Sequence, residues 1–215
     1  MNPELLNKFP KSFYVPDGIL NQSQLKLLLD LSRKGYEIIL SGNSSVTIPK
    51  VDDMAKEKLK EVGFLDLPHM ENKVLYAQTC LSKPYCPMSR QDARNLSKKI
   101  NKNFYGIITP AKVKISISGC PNGCSEPLVR DIGIMGYPTG YTLTIGGFAG
   151  RNGGIGETIS TDLNEDQVVE ELKKLFFVYI TYAKEKERFY KFLRRVGIEF
   201  IKEKLESVVN TTPSE

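Results

Sequence analysis

The sequence predicts an α+β fold, with a small N-terminal module packed on a larger mixed α/β domain that ends in helices. Three observations carry this reading. Residues 20–63 read as helix, strand, strand, helix; glycine-punctuated strand patterns follow from Gly133; and helical periodicity runs from Asn164 to Val209. With 40% hydrophobic and 26% charged residues, the chain has the apolar content for a core over its 215 residues. At about 150 residues per domain, one domain or two small ones are expected.

In the N-terminal module, Asn21 and Ser23 precede the apolar set Leu25, Leu28, Leu29 and Leu31, which predicts a short helix stopping at Gly35. Tyr36 to Leu40 is rich in strand formers, Ser41-Gly42-Asn43 reads as a turn, and Val46 to Ile48 is a second strand before Pro49. Asp52 to Val62 predicts a helix closed by Gly63. This order is that of a ferredoxin-like module. The second region opens with an apolar stretch from Val74 to Ala77 and a cysteine loop. A helix from Ser89 to Ile100 follows, with Ser89 and Asp92 as a partial capping box, and then a strand. Beyond Gly133 the clearest strand is Tyr141 to Ile145. Leu172, Leu175, Phe176, Tyr179 and Ile180 recur at helical spacing and predict packing on a sheet, with a helix break at Gly197. Asn210 to Glu215 reads as a tail.

Composition excludes several chemistries. The single histidine, His69, rules out three-histidine zinc sites, the H-E-x-x-H metalloprotease pattern and paired Glu-x-x-His di-iron sites; beside Pro68 it reads as an ordinary surface or packing residue. A net charge of +5 favours anionic partners without choosing among them. Four cysteines are too few for a disulfide-built scaffold, and Met1 to Lys11 carries Glu4, Lys8 and Pro10 where a signal peptide needs an apolar run. A cytoplasmic protein is expected. The longest apolar run, Leu175 to Ile180, falls far short of the roughly 18 to 20 residues of a membrane span, so no membrane partner is expected.

The cysteines fall in two pairs, Cys80 with Cys86 and Cys120 with Cys124. Four thiolates from two loops can hold a tetrahedral zinc or a [4Fe–4S] cube, and buried unliganded cysteines are the plain alternative. Zinc knuckles close on two to four intervening residues, so the wider Cys80 to Cys86 loop favours the larger inorganic body. In Ser118-Gly119-Cys120-Pro121-Asn122-Gly123-Cys124 the glycines allow close backbone approach and the proline stiffens the turn.

Cys-x₅-Cys followed by Gly-Cys-Pro-Asn-Gly-Cys at Gly119 to Cys124 resembles the signature of the sirohaem-dependent nitrite and sulfite reductases. The resemblance extends over Gly18 to Gly63, Asp131-Ile132-Gly133 and Ile145-Gly146-Gly147, and so over most of residues 14 to 205. It implies a ferredoxin-like half-domain at 12–67 and a sirohaem and [4Fe–4S] domain at 68–209, with 210–215 as tail. It further implies a cluster bound by Cys80, Cys86, Cys120 and Cys124, with the Cys124 sulfur also the axial ligand of the sirohaem iron. The implied activity is reduction of sulfite to sulfide or nitrite to ammonia, fed by a ferredoxin-like or other reductase donor. The chain resembles one repeat of larger two-repeat enzymes, so a homo-oligomer or partner subunit is expected to complete the pocket.

Lys112, Lys114, Ser116 and Ser118 alternate with Val113, Ile115 and Ile117, which puts both lysines on one strand face. By the resemblance they bind the oxyanion and pass protons; an isolated K-x-K is otherwise a solvated face. Six glycines fall between Gly146 and Gly156 with Arg151 among them, either a cofactor-hugging backbone or a plain hairpin loop. Arg151, Arg90 and Arg94 are candidate partners for sirohaem carboxylates, and Asn122 and Asn43 complete the candidate cofactor-binding set. Two departures touch the substrate: Asn43 and Tyr76 stand where the family carries arginines. Two alternatives follow: an electron-transfer subunit holding only the cluster, and a zinc-stabilised nucleic-acid module. For the latter the sequence offers no aromatic recognition motif, so no nucleic-acid partner is expected. The basic C-terminal helix, interleaved with Glu185, Glu187, Glu199 and Glu203, reads as a solvated face or a dock for an acidic donor.

Overall fold

Asn21 starts the first helix through a reciprocal cap. Its side chain accepts from the Gln24 N–H at 2.9 Å, while the Gln24 side chain accepts from the Asn21 N–H at 2.9 Å. In this computed structural model the described residues are 10–67 and 71–209. They divide into two units, Met1–Met70 and Glu71–Glu215. His69 and the 210–215 tail lie outside the described residues.

The N-terminal unit runs β1 (Lys11–Tyr14), α1 (Gln22–Arg33), β2 (Ile39–Ser41), β3 (Ser45–Ile48), α2 (Asp53–Glu61) and β4 (Leu65–Asp66). The strands pair antiparallel in the order β2-β3-β1-β4, giving the ferredoxin-like βαββαβ arrangement. Strands β1 and β4 are missing from the sequence reading because their register is set from afar: Phe13 pairs with Val46 on one side and Asp66 on the other. Phe13, Val46, Ile48, Leu59 and Phe64 form the core with Leu28 and Leu31 of α1. Leu25 and Leu29, in the predicted apolar set, are instead exposed. Asp52 caps α2, its carboxylate accepting from the Ala55 N–H at 2.7 Å.

The second unit holds β5 (Gln78–Thr79), α3 (Ala93–Phe104), β6 (Ile115–Ser118), β7 (Ile132–Tyr137), β8 (Gly140–Ile145), β9 (Glu157–Leu163), α4 (Glu165–Tyr182), α5 (Phe189–Val196) and α6 (Ile198–Val209). Its sheet runs β5-β6-β7-β8-β9, parallel from β5 to β7 and antiparallel from β7 to β9. Ile115 and Ile117 of β6, Ile132 and Ile134 of β7 and Leu143 of β8 are buried in one cluster with Leu96, Ile100, Leu172, Leu175, Phe176 and Tyr179 of the helices.

Three expectations change. Helix α3 begins at Ala93 rather than Ser89, because Ser89 spends its hydroxyl on the Gln91 carbonyl at 2.7 Å and Asp92 alone caps the Arg94 and Asn95 N–H groups. The C-terminal helical run breaks at 183–188 as well as at Gly197, where φ is 81°. The first break is a turn closed by Glu187, whose carboxylate accepts from the Lys184 N–H at 2.9 Å. Ile180 is exposed, unlike its four companions. No helix among the described residues is long and apolar enough to cross a membrane.

Candidate functional site

The two cysteine loops leave the C-terminal ends of neighbouring parallel strands, Cys80 just after β5 and Cys120 just after β6. They are tied together at Gly119. Its carbonyl accepts from the Arg90 N–H at 2.7 Å and the Gln91 N–H at 3.0 Å, and its own N–H donates to the Cys80 sulfur at 3.3 Å. A Cβ on Gly119 would stand 2.1 Å from Ser89 Oγ and 2.9 Å from the Gln91 carbonyl, so only glycine lets the loops meet. Ser82 pins the first loop from inside: buried, it accepts from the Ala93 N–H at 2.9 Å and lies 3.0 Å from Ser89 Oγ.

After Cys120 the chain folds back over the face of β6 opposite the helices. Ser125 donates to the Ile117 carbonyl at 2.7 Å, lies 2.7 Å from Ser118 Oγ, and its carbonyl accepts from Ser116. This return holds Cys124 at the surface while Cys120 is buried and Cys80 and Cys86 are partly buried. All four thiols are free. No three His, Cys, Asp or Glu side chains among the described residues stand close enough together to hold one metal ion. A [4Fe–4S] cube, whose own width separates its ligands, takes thiolates from separate backbone positions, and the two braced loops carry four.

At the other end of β6 and β7 lies a cleft of about 280 Å³, lined by Lys114, Arg130, Asp131, Phe148, Arg188 and the Gly147 to Gly150 backbone. Asp131, 1% exposed, accepts from Arg188 Nη2 at both oxygens, at 3.0 and 2.9 Å, and from the Lys114 N–H at 2.9 Å. Burial pushes the Asp131 carboxyl up, against the Arg188 guanidinium and the Lys114 N–H, which stabilise its charge. Burial, then the charges of Arg130 and Arg188, push the Lys114 ammonium down; burial, then Lys114 and Arg188, do the same to Lys112. The Nε–H groups of Arg130 and Arg188 are buried without a partner among the described residues. Orphaned donors beside half-buried ammoniums are the fit expected for a carboxylate-rich or oxyanionic ligand.

The predicted residues thus separate. Lys112 and Lys114 share the face of Ser116 and Ser118 with the Cys124 return, with about 13 Å of strand between Lys114 and Ser118 at ~3.3 Å per residue. Asn122 is exposed between the second cysteine pair; Arg90 is exposed beside Gly119; Arg151 is exposed in the turn between β8 and β9. Arg94 lies over the Tyr85 ring at 5.8 Å, and Tyr76 packs edge-on against Tyr105 at 5.5 Å. Asn43 belongs to the N-terminal unit, in the β2–β3 turn with φ 72°. Arg130, Asp131 and Arg188 are missed as site residues. Asp131 carries a signal, being the only acid between Glu126 and Glu157 and directly preceding an apolar strand, whereas Arg188 hides in a charged run.

Residues 70–212 match the nitrite and sulphite reductase 4Fe-4S domain family. A protein of Nitratidesulfovibrio vulgaris named assimilatory-type sulfite reductase is 31% identical over 196 residues, covering 87% of this chain and 88% of that protein. A Bacillus subtilis nitrite reductase (NAD(P)H) is 30% identical over 197 residues, which cover 90% of this chain but 24% of that longer protein. The solved structure of the Mycobacterium tuberculosis NirA protein shares the fold with a TM-score of 0.80 at 16% identity, covering 94% of this chain and 40% of that one. Since the family match takes in both cysteine loops and the whole sheet that carries them, this chain belongs to the nitrite and sulphite reductase 4Fe-4S domain family, oxidoreductases that work with a [4Fe–4S] cluster and sirohaem.

Proposed function

We propose that this chain is a small sirohaem and [4Fe–4S] reductase of sulfite or nitrite, acting in a reducing cytoplasm. The observation that carries the reading is the bracing of two thiol loops across Gly119 on the same sheet as a cation-lined cleft with orphaned guanidinium donors. Cys80, Cys86, Cys120 and Cys124 would hold the cluster, with the exposed Cys124 thiolate shared with the sirohaem iron. When bound, the cluster would relay the six electrons that an external reductant delivers one at a time, and the sirohaem would supply the iron at which the anion is reduced.

The chain supplies charge, protons and orientation. Lys112 and Lys114, held half-buried, neutralise the anion, and burial lowers the cost of releasing their protons as its oxygens leave as water. Arg188 is fixed by Asp131 and Arg130 by Glu126 at 2.7 Å, so both guanidiniums are held in the lining of the cleft, where their charge would attract carboxylate or oxyanion oxygens. Arg90, Arg151 and Asn122 are exposed and free to meet macrocycle carboxylates.

Anaerobic reconstitution with iron, sulfide and sirohaem, followed by metal analysis and an absorption spectrum, tests this reading. A cluster together with sirohaem, and turnover of sulfite or nitrite with reduced methyl viologen, is expected. Cluster without sirohaem would leave an electron-transfer subunit; zinc or colourless protein would overturn both. Relative kcat/KM values decide between the two anions.

A further inference from the structure

The second cysteine loop contains an Asn-Gly step, the pair in which a backbone nitrogen most readily reaches a side-chain amide, because glycine brings no Cβ to block the approach. Asn122 and Gly123 lie between Cys120 and Cys124 in a turn whose Gly123 N–H donates to the Cys120 carbonyl at 3.3 Å, beyond the usual span for such bonds. Asn122 is exposed. Gly123 sits at φ 63°, and apart from its chain neighbours nothing comes within 3.8 Å of where its Cβ would stand, so no packed neighbour crowds it. The chain holds a second such step, Asn152-Gly153, also exposed. There the Gly153 N–H donates to the Gly150 carbonyl at 2.7 Å, inside a turn closed by two Phe148–Gly154 bonds at 2.9 Å.

We propose that Asn122-Gly123 is a self-modification site, which deamidates when the loop stands without its cluster and is spared while Cys120 and Cys124 are both bound. The Gly123 nitrogen attacks Asn122 Cγ, and the new N–Cγ bond closes a five-membered succinimide ring. The Cγ–Nδ2 bond breaks, and Nδ2 leaves as ammonia carrying the Gly123 proton. One water then opens the ring at either carbonyl, giving an aspartate on the normal backbone or an isoaspartate whose backbone runs through the side chain; nothing is oxidised or reduced. Attack requires the Gly123 nitrogen to leave the Cys120 carbonyl and swing toward the Asn122 side chain, an opening opposed by one long hydrogen bond. Thiolates fixed on a rigid body at both ends of the loop would resist that swing. This shielding rests on the cluster reading above, whereas the modification itself does not. Either product hinders reloading: isoaspartate lengthens the backbone between Cys120 and Cys124 by one atom, and both products set a new negative charge beside the thiolates. A chain that loses its cluster then keeps the ability to regain it for a limited time.

The test ages the full chain at 37 °C with a thiol reductant, metal-free and after anaerobic reconstitution, and follows each Asn-Gly peptide by its mass gain of about 1 Da. In the metal-free chain Asn122 should react at least about fivefold faster than Asn152, the worth of one ordinary hydrogen bond. Iron taken up on later reconstitution should fall in proportion to the fraction modified. In the reconstituted chain Asn122 should slow several-fold while Asn152 keeps its rate. Asn122→Gln, which closes a six-membered ring only slowly, should lose none of its own starting iron uptake on ageing. Asn122 no faster than Asn152, equal Asn122 rates with and without bound cluster, or uptake that declines equally in Asn122→Gln would each overturn the proposal. Reconstitution that yields no cluster would remove the cluster reading and the shielding with it, and the Asn122 rate in the metal-free chain would still decide the modification.

Discussion

Lys114 is a residue whose stability cost and chemical use point in opposite directions. Burial and the neighbouring guanidiniums lower its pKa from an ordinary value of 10.5, so between the lowered and the ordinary value the unfolded chain binds the extra proton. Folded stability therefore rises with pH through that window. Lys114→Met removes the charge in advance. It should stabilise the apoprotein at pH 7 by up to about 1 kcal/mol, the ammonium being half exposed and screened, and the gain should vanish above about pH 10.5. Melting at pH 7 and pH 11 reads this, and a variant less stable at pH 7 would show that Lys114 is a structural residue. Asp131 and Arg188 belong to the same balance: one buried acid holds a cation that lines the cleft.

At the level of elements, the thiol loops depend on one contact without a side chain. Gly119→Ala would drive a methyl group into Ser89 Oγ and the Gln91 carbonyl and force the loops apart. Iron bound per chain after reconstitution should fall several-fold, while far-ultraviolet circular dichroism stays unchanged; full iron content would refute the bracing role. The start of α3 shows why this was only half legible in the sequence. Ser89 and Asp92 both look like caps, and only the loop's need for Ser89 decides which one serves. The cysteine pairs and the Lys112–Ser118 alternation were legible because they are local. The Arg188–Asp131 pair joins positions 57 residues apart and follows no spacing rule.

For the molecule as a whole, the two units have separate cores, one around Phe13, Ile48 and Leu59 and one around Ile117, Leu143 and Leu172. Phe13→Ala, at a side chain 1% exposed, should destabilise the N-terminal unit by about 3 to 5 kcal/mol. Amide exchange should quicken in β1 and β3 and stay unchanged in β7. Equal quickening in β7 would mean that the cores unfold as one. The fold class and the helices could be read from apolar spacing, whereas β1, β4 and β5 are too short to announce themselves and exist only through partners distant in the chain.

The ties that seat Gly119 between the loops are all made by the polypeptide itself. Stripping the inorganic centre by oxygen would then damage only the cargo and spare the berth, and a repair pathway could refill it without first remaking the fold.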